Sequence, residues 1–314
     1  MIKTILKKTL SFVATVLLVT LFVFIAFDII PGDAATNRLG INATPEALRR
    51  LREEMGLSRP FFVRYFSWLG DFFFGDMGTS YSYGVSVRSM LASKLPITVT
   101  LTGMSFVMIV VLSIPIGLFT SKYEDRAISK ASDIIGQLLM AIPPFFLGIL
   151  ITYLFGMVLR AFTPGGFVSY DINPAKFFGY LFFPALAIAI PKAAMSTKLL
   201  KTSILSERKL DYVRTAYSRG NSTMDVLYKH VLKNAIIPVI TFLGMTLADI
   251  VAGSLVIEQV FSIPGYGRLL ISSIANRDYP VVQAIIAIIA MIVIIINRLV
   301  DIMYQVLDPR MRGN

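Results

Sequence analysis

Residues 9–27, 95–121, 134–159 and 279–297 contain no charged side chain. About 20 largely apolar residues, rising 1.5 Å each, carry an α-helix across a bilayer core of roughly 30 Å. Lipid offers the backbone no hydrogen-bond partners, so runs of this kind must satisfy their own polar groups as helices. Residues 177–197 and 234–257 form two further stretches, interrupted by Lys192 and Asp249 respectively. One intramembrane charge costs about 3 kcal/mol on insertion scales, which the neighbouring apolar residues offset. Six spans are expected, and with them an all-α polytopic membrane protein. A chain that is 55% hydrophobic and 16% charged, with a mean hydropathy of +0.71, fits that class and not an ordinary soluble domain.

The absence of cysteine removes disulfides, thiolate metal sites and cysteine nucleophiles together. The net charge of +11 does not point to nucleic acid, because in a chain of this kind basic residues gather in cytosolic loops beside anionic lipid. Pro115, Pro143, Pro144, Pro184 and Pro191 fall inside the apolar stretches and predict kinked helices around a cavity. The first stretch follows Lys3, Lys7 and Lys8 as a secretory signal does, but it exceeds the usual signal core and five more spans follow.

Six spans place both termini on one side. On that side residues 3–8, 122–130, 198–233 and 310–312 hold 16 lysines and arginines, against four in the two short opposite loops. Residues 31–96, with eight basic and six acidic side chains, are long enough to translocate regardless of charge. Both termini are therefore expected in the cytoplasm of a multi-pass cell-membrane protein. The chain divides into an N-terminal span (1–30), an extracytoplasmic segment (31–96), a five-helix core (97–305) with a cytoplasmic loop (198–234), and a tail (306–314).

In the outer segment, Thr44-Pro45-Glu46 reads as N-cap, first-turn proline and first-turn acid, with Gly56 as the stop. Leu48, Leu51 and Met55 share one face of that helix. Eight of the 14 residues from Phe61 to Phe74 are aromatic, including Trp68. Such a segment is expected to lie along the outer membrane surface, with docking of an external partner as the alternative.

The cytoplasmic loop carries its own local signals. Asp211 to Arg219 suits a helix, Gly220 ends it, and Ser222-Thr223-Met224-Asp225 has the spacing that caps a new one. Leu227, Val231 and Ala235 recur at four-residue spacing, while Lys229 and Lys233 occupy another face. The composition alone fits a lipid-held basic loop. Two caps and a glycine hinge within twelve residues indicate instead a stiff helix–turn–helix.

Arg214-Thr215-Ala216-Tyr217-Ser218-Arg219-Gly220 also resembles the "EAA" loop of the inner-membrane permeases of ATP-binding-cassette importers, in the peptide and nickel branch. Arg214 and Thr215 stand in place of its Glu and first Ala, and the stretch from Asp211 follows the branch's "DYVRTA…G". Residues 29–35 (IIPGDAA), 75–80 (GDMGTS), 261–283 (FSIPGYGRLLISSIANRDYPVVQ) and 306–312 (VLDPRMR) resemble further signatures of the branch, in order along most of the chain. The loop's usual proline is displaced to Pro238, and Lys192 and Asp249 stand where apolar or small residues are expected.

The resemblance implies a type I importer permease whose Arg214–Gly220 loop seats on an ATPase. It implies a second homologous permease, two ATPase subunits and an external solute-binding lipoprotein as partners in the bilayer. It also implies no cofactor on this chain, with ATP and Mg²⁺ held by the ATPases, and a cargo of oligo- or dipeptides or, alternatively, nickel chelates or another small solute.

Phosphate-loop, zincin and nucleophile-elbow motifs are missing from the sequence. His230, the single histidine, sits in the basic helix and reads as structural. No catalytic or metal-binding residue is expected. An ion-coupled secondary transporter is disfavoured because the 211–238 pattern has no second copy, and an intramembrane enzyme because nucleophile and base are lacking.

Lys192 and Asp249 are the candidate substrate-path residues. Counted along their apolar stretches, each lies about 20 Å from opposite membrane faces. In a slab of about 30 Å they stand roughly 10 Å apart in depth, too far for a direct ion pair. That spacing fits the two ends of a zwitterionic peptide, or pairing of each charge with the companion permease.

Overall fold

A computed structural model of the chain describes residues 2–29, 34–40 and 43–307. It is all-α. Extended pairing among the described residues is limited to an isolated bridge between Thr79 and Ser86. Most of the 29–35 signature and of the 306–312 tail lies outside the described residues.

In chain order the helices are α1 (Ile2–Ile29), α2 (Ala34–Leu39), α3 (Pro45–Glu54), α4 (Phe61–Phe73), α5 (Val87–Lys122), α6 (Ala127–Ala141) and α7 (Pro144–Ile151). A π-helical stretch, Thr152–Val158, follows α7. Next come α8 (Pro174–Glu207), α9 (Asp211–Ser218) and α10 (Thr223–Asp225), then a π-helical turn Val226–Val231 leading into α11 (Leu232–Ala235). The chain ends with α12 (Ile237–Val260), α13 (Tyr266–Ala275) and α14 (Tyr279–Leu307).

α5, α8, α12 and residues 279–300 of α14 are each long and apolar enough to cross a membrane. α6 together with the helix from Pro144 to Val158 is a fifth candidate, but its halves meet at 101°. α1 carries an apolar stretch from Leu10 to Ala26. Proline acts differently at different places. Helix continues through Pro115 in α5 and through Pro184 and Pro191 in α8. At Pro143-Pro144 it breaks outright, because two adjacent residues lack an N–H and the ring forces Ile142 into extended geometry (φ −83°, ψ 121°). The third expected span is therefore sharply broken, not merely kinked.

The chain forms two compact units, residues 1–97 with 264–294, and residues 98–263 with 295–314. In the first, Thr44 caps α3 by accepting from Ala47 N–H at 3.3 Å, and Gly56 follows in left-handed geometry (φ +67°). The aromatic helix α4 has two faces. Tyr65, Leu69 and Phe72 are buried. Phe24 of α1 sits edge-on to Phe61 and Tyr65 at 5.3 and 5.6 Å, and the Tyr65 hydroxyl donates to Leu17 C=O at 3.0 Å. Phe62, Phe66 and Phe73 stay exposed on the opposite face. Phe61, Tyr65 and Trp68 thus pack onto Phe24 of α1, while the exposed rings are left for an apolar surrounding.

In the second unit α8 is the central helix, packed against α6, α7 and α12. Glycines set the close approaches: a Cβ at Gly117 would come within 2.9 Å of Leu200, one at Gly148 within 3.1 Å of Phe261, and one at Gly244 would collide with Val300. Small residues that let helix backbones approach are the usual packing device where lipid supplies no hydrophobic drive between helices.

Candidate functional site

The loop between α8 and α12 is built from its own caps. Gly220 takes the left-handed geometry expected of it (φ +81°), its N–H bonded to Tyr217 C=O at 2.9 Å. The Asn221 side chain donates to Ala216 C=O at 2.9 Å, closing the end of α9. Ser222 accepts from Asp225 N–H at 3.2 Å, and its hydroxyl donates to the Asp225 carboxylate at 2.6 Å. Asp225 in turn pairs with Lys229 at 2.6 Å, one turn along. The Lys229 bond first and the Ser222 bond second hold the Asp225 carboxyl below the usual carboxylate range.

Past Asp225 the backbone widens into the π-helical turn, which was not legible in the four-residue periodicity. The turn places Val226, Leu227 and Val231 on the inner side, continued by Ala235 in α11. Lys229 and Lys233 point outward, as does His230. The base of the loop is closed by Tyr212, whose hydroxyl donates to Glu207 at 2.5 Å and accepts from Asn234 at 3.2 Å. Burial first, then the Glu207 bond, raises the Tyr212 pKa, so the phenol keeps its proton and stays a donor. Arg208 donates to Ser121 C=O at 3.2 Å, tying the end of α8 to that of α5.

Within the seven-residue motif, Ala216 is buried beside Val213, whereas Arg214, Thr215, Tyr217, Ser218, Arg219 and Gly220 are exposed. α9 therefore presents one polar, cationic face outward from a braced turn. Its base is tied through Tyr212 to Glu207 at the end of α8 and to Asn234 of α11, which leads into α12.

Lys192 and Asp249 form a direct ion pair, Nζ to Oδ2 at 2.7 Å. This corrects the depth argument, and the register of the helices gives the reason. Tyr180 donates to Phe261 C=O at 2.5 Å at one end of the pair formed by α8 with α11 and α12, and the Tyr212 bridge brings Glu207 to Asn234 of α11 at the other. From Tyr180 to Lys192 is twelve residues, as is Phe261 back to Asp249; Lys192 to Glu207 and Asp249 back to Asn234 are fifteen each. The antiparallel pair is thus in continuous register over 27 residues, about 40 Å at 1.5 Å each. Two offsets of about 20 Å from opposite ends meet in 40 Å; only in a slab of about 30 Å do they miss.

Three other polar clusters escaped the sequence reading. Lys201, nearly buried on α8, reaches Ser129 at 2.8 Å and Asp133 at 2.6 Å on α6. It falls within the stretch 198–234 expected as loop, yet the buried Leu200 and Ile204 beside it continue the apolar period of α8. Glu258, fully buried, accepts from Thr98 at 2.6 Å and lies one residue beyond the apolar stretch. Asp278, also fully buried, accepts from the Ser80 hydroxyl and from Tyr81 and Ser82 N–H. That contact joins two of the sequence signatures, residues 75–80 and 261–283.

Comparison with known proteins accords with this geometry. Residues 113–313 match the family described as binding-protein-dependent transport system inner membrane component, and residues 1–102 match the N-terminal family of such membrane components. Among curated relatives, a probable peptide ABC transporter permease protein, y4tP, of Sinorhizobium fredii is 31% identical over 308 residues, covering 98% of each chain. A putative peptide transport system permease protein of Brucella abortus is 33% identical over 308 residues, again covering 98% of each. The oligopeptide transport system permease protein AppB of Bacillus subtilis is 32% identical over 309 residues, with the same coverage. With a multi-pass helical body and both family regions in order, the chain belongs to the inner-membrane components of binding-protein-dependent transport systems, as a peptide-type ABC transporter permease.

Proposed function

We propose that this chain is the membrane-spanning subunit of an ATP-driven importer, forming the path for peptides handed over by an external solute-binding protein. The observation that carries the reading is the braced α9 turn, a cationic face tied at its base to the end of α8 and to α11, which leads into α12. A second, homologous permease completes the path, and two ATPase subunits bind ATP and Mg²⁺. Their closure presses on Arg214, Thr215, Tyr217, Ser218 and Arg219, and α8 and α12 move in response. The names of the relatives support a peptide cargo.

In this reading the chain crosses the membrane six times, with α1 as the first span and the broken α6–α7 pair as the third. Both termini face the cytoplasm, following the excess of lysine and arginine on that side. Lys192 and Asp249 face the path. The test is to purify the tagged chain from its native membrane and to replace Ser218 with a photo-crosslinking residue. ATPase subunits are expected in the preparation and in the crosslink. A chain that transports peptide without any ATPase partner overturns the proposal.

A further inference from the structure

Asp249 stands at the middle of α12, yet its side chain is 64% exposed and that of Lys192 30%. A charged pair on the outer surface of a helix at mid-membrane depth costs several kcal/mol against lipid tails. The face must therefore meet water, polar groups or another chain. On α12 the exposed residues in register with Asp249 are Met245, Ala252, Gly253 and Val256; on α8 the exposed Met195 follows Lys192 by one turn. Because the two helices are antiparallel, Met195 and Met245 lie on the same, loop-proximal side of the ion pair. On the other side a Cβ on Gly253 would meet nothing within 4 Å, and the exposed Val256 follows one turn further on.

We infer that Lys192 and Asp249 are a substrate-displaced ion pair that recognises the two termini of a short zwitterionic peptide. The α-carboxylate takes the Lys192 ammonium, the α-ammonium takes the Asp249 carboxylate, and the peptide's side chains rest on Met195 and Met245. This rests on the peptide-importer reading above. At 2.7 Å the two side chains satisfy each other, so an empty path presents no net charge to stray ions. An extended chain spans about 3.5 Å per residue, so even a dipeptide must spread the pair to engage both ends. Each side chain then exchanges one charge-assisted bond for another. That exchange holds the peptide without trapping it, as a conduit requires. Methionine, unbranched and polarisable, adapts to different side chains, so selection falls on the charged termini and not on sequence.

The chain has no cysteine, which makes an introduced thiol a clean reporter. In the complete importer, reconstituted in proteoliposomes, Met245→Cys is labelled with a maleimide while trialanine is titrated and its uptake followed. Peptide is expected to slow labelling. Adding Lys192→Met or Asp249→Asn is expected to raise the half-protecting peptide concentration about tenfold, because one charged peptide terminus then enters the path with no opposite charge to meet it. N-acetyl-trialanine is expected to protect less well than trialanine with Asp249 intact, and equally well in Asp249→Asn.

Uptake without protection, or protection unchanged by both substitutions, overturns the inference and leaves the importer reading standing. A thiol that stays unreactive in a transporting complex shows the face sealed against the companion permease, and also overturns it. Absence of trialanine uptake by the unmodified importer removes the peptide reading itself. Should Met245→Cys abolish uptake, Met195→Cys gives the same readout from the opposing helix.

Discussion

Ser80 and Asp278, 198 residues apart in sequence, are joined by a hydrogen bond from the serine hydroxyl to a fully buried carboxylate. The same carboxylate accepts from Tyr81 N–H at 2.9 Å and Ser82 N–H at 3.3 Å, and Ser80 Oγ accepts from Tyr83 N–H at 3.0 Å. One acid thereby organises the turn that follows Gly78, whose left-handed geometry (φ +78°) sets it against Pro280. The Gly-Asp-Met-Gly-Thr-Ser and Arg-Asp-Tyr-Pro segments are two halves of one clasp.

Replacing Asp278 with alanine deprives three donors of this acceptor in a buried site. A loss of about 3 kcal/mol is expected, from roughly 1–3 kcal/mol for each donor left unsatisfied. Thermal unfolding of the detergent-solubilised protein measures it, and limited proteolysis locates it: new cleavage is expected between residues 76 and 86. An unchanged midpoint and cleavage map reject the clasp as a stabilising element.

Gly244 packs against Val300 so closely that a Cβ has no room. Gly244→Ala is expected to destabilise by about 1–3 kcal/mol, the usual cost of overpacking a close-packed contact. Val300→Ala in the same chain should recover part of that loss. Strict additivity of the two substitutions in thermal unfolding argues against direct contact.

Gly220 is constrained differently, since nothing lies within 4 Å of its would-be side chain. Only the backbone matters there. Gly220→Asn is expected to be tolerated, whereas Gly220→Val costs about 1–2 kcal/mol locally, because a β-branched residue resists left-handed geometry. Faster amide exchange across residues 215–225, together with weakened uptake, should appear in the valine variant alone.

Lys201 and Asp133 brace α8 against α6, with Ser129 as the third member. Asp133 is 43% exposed, so solvent screens the pair and its coupling is modest, about 1 kcal/mol. A double-mutant cycle with Lys201→Met and Asp133→Asn measures this, and the double variant should be more stable than the sum of the singles implies.

Asp225 supplies a pH dependence of known sign. Its carboxyl is held below the ordinary range by Lys229 and Ser222. A lowered folded-state pKa contributes stability above the unfolded-state value of about 4, and that contribution disappears as pH falls through the lowered value. Amide exchange at residues 222–229 is expected to quicken in that acidic window, and Lys229→Met should move its onset to higher pH.

Much of the loop around Gly220, and of the cap at Thr44, was legible because their signals are local. A glycine for positive φ, a serine three residues before an acid and a proline behind an N-cap each act within a turn of chain, so Gly220, Ser222 and Thr44 stand where their residue types require. Long apolar runs are equally local, since lipid leaves their backbone no other conformation. The pairing of Lys192 with Asp249 was not legible, nor were the buried partners of Asp278, Glu258 and Lys201. Each depends on the register between segments distant in sequence, and many packing contacts such as Gly117 on Leu200 set that register together. The sequence by itself determined the long apolar helices, the caps at Thr44 and Ser222 and the hinge at Gly220. Tertiary structure alone decided which charges meet, because a depth counted along one helix says nothing of how far its neighbour slides past it.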